Sequence, residues 1–181
     1  MKRIMSLFTV CCAVTALASY ASVLADESET KPSEQKLRVG TFDSRLVAIA
    51  YARSEMFQRR VAKLHADHKE AKAAGNEKRV KQLETAGPAL QELIEKQSYS
   101  TWPVDDILQT IKGKMPEIAK QANVDVVVSK WNVVFQRKGV DLVDVTDLMV
   151  KPFNPTEETR KILDSIRKKE PLPIDTLKKY K

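Results

Sequence analysis

Between positions 47 and 97 the apolar residues step by threes and fours, a pattern that only paired helices accommodate. Val47, Ala50, Ser54, Phe57, Val61, Leu64, His68 and Ala71 form one series; Val80, Leu83, Gly87, Leu90, Ile94 and Gln97 form a second. Such spacing keeps one stripe of a helix turned toward a partner. Between the two series stands Gly75-Asn76, a residue suited to end one helix followed by a residue suited to cap the next. Folded back there, Ala71 opposes Val80, His68 opposes Leu83, Leu64 opposes Gly87, Val61 opposes Leu90, and Phe57 opposes Ile94. The expected seam is therefore Phe57, Val61, Leu64, Leu90 and Ile94, with large Leu64 meeting small Gly87. Helical arms over 44–98 are predicted, reaching roughly 45 Å at about 1.5 Å per residue. Pro88 disfavours helix at Gly87 and removes a donor, so a kink or short break is expected there; a tip at Gly87-Pro88 is the second reading.

The N-terminal segment sets where such a hairpin works. Lys2 and Arg3 precede an apolar run from Ile4 to Leu17, and Val23-Leu24-Ala25 supplies compact residues before Asp26. This pattern predicts a secretory signal over 1–25, cut between Ala25 and Asp26, and hence a periplasmic mature chain. Residues 4–25 are also long enough to remain as a membrane anchor. The cut removes Cys11 and Cys12, the only two cysteines, so no disulfide is expected and stability must come from packing or assembly. Residues 26–36 hold no large apolar side chain and read as a disordered leader.

Composition narrows the function classes. The five glycines, Gly40, Gly75, Gly87, Gly113 and Gly139, all stand apart, so no phosphate-cradling loop can be built and no nucleotide cofactor is expected. The net charge of +7 comes without an arginine-rich run interleaved with aromatics, which argues against nucleic acid. Acidic proteins, a membrane surface or cell-wall polymer suit a basic exported chain better.

The remainder predicts an α+β fold: a small β body, the long projecting helical hairpin and a C-terminal helical extension over 151–181. Residues 37–42 alternate as a strand, with Asp43 or Ser44 placed to cap the next helix. A helix over 101–122 is expected, capped by Thr101, started by Pro103, favoured by Asp105 and Asp106 at its positive end, and bent at Pro116. The β-branched runs 124–129 and 132–138 flank Lys130-Trp131 and read as a hairpin of strands within 124–138. Val126, Val128, Val134 and Leu142 are the expected body or oligomer core. Asp144 or Thr146 can start a short helix, and Asn154-Pro155-Thr156-Glu157 a last one, carrying Ile162, Leu163 and Ile166 until Pro171 and Pro173 end it.

Little of this carries catalytic chemistry. His65 and His68 sit one turn apart beside Asp67, yet no third ligand accompanies them, so a helix face rather than a metal site is expected. Asp105 and Asp106 are adjacent on a helix and do not face each other. Trp102 and Trp131 read as packing residues. No nucleophile stands in a recognisable setting, and no enzyme is expected. Arg53, Arg59, Arg60 and Lys63 make the first arm basic, either as a solvated face or as a surface that steers acidic partners.

A strand running into a helical hairpin, then Val124–Ser129, Asn132–Phe135 and the Asp141–Asp147 segment, resembles the OmpH/Skp family of periplasmic chaperones over about 37–150. The resemblance implies a homotrimer whose strands build a central body and whose arms hold unfolded outer-membrane proteins without ATP. Gly87, Pro88, Pro103, Pro116 and the segment 151–181 depart from that pattern. A scaffold protein of the envelope, binding one partner, cell wall or membrane surface through its basic arm and tail, is the alternative.

Overall fold

The computed structural model describes residues 36–177. The expected signal, its cut between Ala25 and Asp26, and the leader up to residue 35 lie outside the described residues, as do Lys178, Lys179 and Lys181.

The chain is a mixed, mostly helical fold around a small three-stranded sheet. Its centre is α1 (Ser44–Ala52), whose sequence SRLVAIAYA is apolar on all sides and therefore belongs inside. Every residue from Ser44 to Tyr51 is buried. Each of Leu46, Val47 and Ile49 contributes about 1.5–3 kcal/mol by leaving water. On one side lies the sheet. β1 (Arg38–Phe42) is its middle strand, flanked by β2 (Val126–Ser129) and β3 (Asp141–Asp144), both parallel to it. Val39 stands beside Val126 and Leu142, and Thr41 beside Val128 and Asp144.

The expected β-hairpin over 124–138 is corrected by this arrangement. After Ser129 the chain makes a single tight helical turn, Lys130–Asn132, and residues 133–138 form no strand. Strands that both lie parallel to β1 on opposite sides of it cannot be joined by a tight turn; they need a crossing connection, which residues 130–140 provide.

The arms are shorter than expected. α1 belongs to the body, and the helix breaks at Arg53-Ser54, where Ser54 turns extended and its hydroxyl accepts from the Phe57 amide at 3.4 Å. α2 (Glu55–Ala73) then spans about 28 Å and α3 (Glu77–Tyr99) about 35 Å at 1.5 Å per residue. Their tip lies at Gly75-Asn76. Gly75 takes φ +67°, its amide donates to Lys72 O at 3.1 Å, and the Asn76 amide donates to Ala71 O at 2.9 Å. This double bond satisfies the last carbonyls of α2. The Asn76 side chain then accepts from the Arg79 amide and opens α3. The reading that put the tip at Gly87-Pro88 is overturned, and α3 continues through Pro88 without a break.

The helix expected over 101–122 divides in two. α4 (Asp105–Thr110) begins after Val104 with no side-chain cap, so Thr101 does not cap it. A short turn at Lys112–Lys114 follows, and α5 (Met115–Ala122) starts with Pro116 in its first turn. Pro116 thus begins a helix instead of bending one. In the extension, α6 (Thr146–Val150) leads into a turn at Lys151–Phe153 that Asn154 ends at φ +54°. α7 (Glu157–Arg167) is therefore capped by Thr156, two residues later than the Asn154 start expected, and the turn drives Phe153 into the core at 2% exposure. α8 (Ile174–Leu177) closes the described chain, so the two prolines precede a further short helix.

Gly40 in β1 is where the sheet permits no side chain. A Cβ there would lie 3.1 Å from both Val124 Cγ2 and Val145 Cγ1. Gly40→Ala is expected to lower stability by about 1–3 kcal/mol through overpacking. Gly75→Ala, set in open space at positive φ, is expected to cost about 1 kcal/mol. Urea unfolding of both variants measures the two costs.

Candidate functional site

Where β1 passes into α1, four charged or polar groups converge. The Asp43 carboxylate is 2% exposed and serves as the α1 cap, accepting from the Arg45 amide at 3.0 Å. Arg45, a lone charge in an apolar helix, is also 2% exposed. It folds back so that Nε and Nη2 donate to the same carboxylate at 3.1 and 2.8 Å. Lys130 donates to Oδ2 at 2.8 Å from the turn after β2, and the Asp43 amide donates to Thr146 Oγ1 at 3.0 Å. The remaining guanidinium nitrogen, Nη1, donates to Lys169 O beyond α7 at 2.8 Å. Trp131 lies under both cations, 5.0 Å from the Arg45 guanidinium carbon and 4.3 Å from Lys130 Nζ. Burial works against the Asp43 carboxylate; the hydrogen bonds and charges of Arg45 and Lys130 outweigh it and hold its pKa below the ordinary value.

Beside this cluster an apolar groove of about 600 Å³ runs along β2. Phe42, Trp102, Val104, Leu108, Val127 and Val133 line it, and the buried hydroxyl of Ser44, without a hydrogen-bond partner among the described residues, lies among them. At its rim Val134 is 97% exposed and Phe135 85% exposed. β2 and β3 are the outer strands, each with one edge unpaired among the described residues. Val126 and Leu142 are exposed, and Val128 is half-buried. Val126, Val134 and Leu142 are thus not core residues of the single chain: residues 132–138 are not a strand, and β2 and β3 lie at the sheet's outer margins.

A second cleft, about 420 Å³, opens between α2 and α3. The seam residues Phe57, Val61, Leu64, Leu90 and Ile94 all join the apolar core as expected. Leu64, however, does not fill the space facing Gly87. A Cβ at Gly87 would meet nothing within 4 Å, and the seam stays open where an interdigitated contact was expected. His65 and His68 line this cleft, with His68 Nε2 3.7 Å from Glu84 Oε1. No group of three or more His, Cys, Asp or Glu gathers for a metal among the described residues.

The four cations read as either a solvated face or a steering surface do not form a free basic face. Arg59 pairs with Glu55 at 3.0 Å and Lys63 with Asp67 at 2.8 Å along α2. Arg60 donates to the Tyr51 hydroxyl at 3.3 Å and to Asp106 at 3.4 Å. Arg53 is engaged at the arm base with Glu158 at 2.7 Å and Thr159 at 3.2 Å. The Arg59 and Lys63 pairs are solvent-exposed and each holds its cation only weakly. Asp106 also accepts from the buried Gln97 amide at 2.7 Å, so it ties α4 to α3; Trp102 stacks under Lys96 at 5.0 Å.

The Asp43 cluster was not anticipated from sequence, although Arg45 alone among apolar neighbours was a signal that a buried anion stood close. Compared with family models, curated proteins and solved structures, the chain matches none.

Asp43→Ala leaves Arg45 buried without its main partner and is expected to cost about 3–5 kcal/mol by chemical unfolding. Because the folded pKa is lowered, the stabilisation is full above the unfolded value near 3.8 and is lost as pH falls through the folded value. Unfolding midpoints measured from pH 6 downward should fall more steeply for the parent than for Asp43→Asn, which has no carboxylate to protonate.

Proposed function

We propose that this chain is an ATP-independent holdase of the OmpH/Skp kind, acting in the periplasm on unfolded outer-membrane proteins. Its working form in this reading is a homotrimer. The single observation that carries it is the sheet margin: Val134 and Phe135 stand almost wholly in water beside the apolar groove along β2. A lone soluble chain gains nothing from that exposure, and a strand edge flanked by bare valine and phenylalanine invites pairing with another copy. Assembly buries the residues that the small sheet cannot cover itself.

The arms supply the binding half of the reading. α2 and α3 present an open apolar seam, and α2 carries exposed, loosely held cations on the face turned away from it. Unfolded barrel chains carry alternating apolar residues and acidic ones, and many weak contacts hold such a client without selecting one sequence. Exposed pairs such as Arg59–Glu55 exchange partners readily, so an acidic client is drawn in by charge and retained by apolar contact.

The test is light scattering from an acidic porin diluted out of urea. The parent is expected to suppress its aggregation, and Val134→Asp combined with Phe135→Asp to lose both assembly and suppression. Parent protein that leaves aggregation unchanged overturns the reading. Capture should also slow as added salt shortens the Debye length from about 10 Å to about 3 Å.

A further inference from the structure

The seam between α2 and α3 is shut at both ends and open in the middle. Towards the tip Ala71 and Leu83 are buried, and towards the body Leu90 and Ile94 are buried. Between them Leu64 leaves the space facing Gly87 unfilled, and a Cβ on Gly87 would meet nothing within 4 Å. What remains is the cleft of about 420 Å³, walled by Phe57, Val61, Leu64, Leu83, Pro88 and Leu90. Apolar side chains gain by closing on one another, and a gap among them forfeits that contact. An apolar cavity of about 150 Å³ already admits benzene, so this one has room for an aromatic ring and the chain that carries it.

One end of the cleft is polar. His68 and Glu84 both line it, each about one helical turn nearer the tip than Leu64 and Gly87. His68 Nε2 is buried and has no hydrogen-bond partner among the described residues; Glu84 Oε1 stands 3.7 Å from it, outside hydrogen-bond reach. A buried nitrogen without a partner is uncommon and calls for a physical reason. A hydroxyl set between the two atoms accepts from Nε2–H and donates to the carboxylate, so that one group satisfies both. Other heads serve worse. A carboxylate meets Glu84 with like charge, an ammonium pairs with Glu84 but offers the imidazole no lone pair, and a bare ring leaves both atoms unmet.

We propose that the cleft between α2 and α3 is a binding site for a phenol, and that its occupant is the tyrosine side chain of an unfolded polypeptide. The ring lies against Leu64 and Leu90 in the space opposite Gly87, and the hydroxyl bridges His68 Nε2 and Glu84 Oε1. Tyrosine suits the place because it joins a large apolar body to a polar tip. The cleft is open to solvent, so the chain on either side of the tyrosine need not enter it. The polypeptide source rests on the holdase reading, to which the site adds a preference: clients are held at their tyrosines. The phenol site itself is complete within one hairpin and needs no assembly.

Chemical-shift titration of the full chain with N-acetyl-tyrosinamide and N-acetyl-phenylalaninamide tests this. The tyrosine probe is expected to move the signals of Leu64, His68 and Gly87. It should bind about tenfold tighter than the phenylalanine probe, a margin within what two net hydrogen bonds bring. Glu84→Ala, at an exposed position, should keep phenylalanine binding and erase the difference. Gly87→Leu fills the cleft and should abolish binding of both probes, with unmoved α1 signals showing that the body stays folded. Equal affinity for the two probes, a preference that survives Glu84→Ala, or shifts confined to residues outside the cleft overturns the site. A chain that binds the tyrosine probe yet leaves porin aggregation unchanged keeps the site and loses the holdase reading; one that suppresses aggregation but does not tell the probes apart loses the site alone.

Discussion

The carboxylate of Asp43 is the point on which the rest of the molecule is hung. It caps the central helix, neutralises a buried arginine, receives a lysine from the turn after β2, and its own amide bonds to the start of α6. Through Arg45 it extends to Lys169 beyond α7. Segments distant in sequence therefore meet at one ion pair whose members are each 2% exposed. Taking these charges out of water costs several kcal/mol per ion, which only so complete a set of partners offsets. An apolar pair would pack as well, but it would not specify which turn and which helix end belong beside α1.

From that anchor the architecture follows outward. α1 is fully enclosed because five other segments lean on it, and the helical hairpin begins only after it, at the Ser54 break. The body is small for the arm it carries. Among the described residues two of its three strands have an open edge, and the connection between them leaves Val134 and Phe135 in solvent. A fold that satisfies its buried charges so thoroughly and yet exposes these two residues is consistent with a surface meant for another chain.

Much of the arm was legible in sequence because helix periodicity and cap chemistry are local. The tip at Gly75-Asn76 followed from a residue that tolerates positive φ beside one that caps. Strand pairing was not legible, since whether 124–129 pairs with 132–138 or with 38–42 depends on long-range packing that β-branched runs do not encode. The break at Arg53-Ser54 was hidden because Val47, Ala50 and Ser54 continue the three-four spacing of the arm without interruption, and α1 and α2 both pack on α3. Proline misled in both directions. Pro88 lies inside a helix that tolerates it, and Pro116 starts one. The Asp43 cluster needed partners from positions 130, 146 and 169, which no local pattern joins, although the isolated Arg45 pointed to it.

The claim that the exposed sheet margin is an assembly surface is tested most directly by the mass in solution of the chain from Asp26 onward. Sedimentation equilibrium over a range of protein concentrations is expected to give three chains per particle, and the aspartate variant of Val134 and Phe135 a single chain. A parent protein that sediments as one chain at every concentration would contradict it.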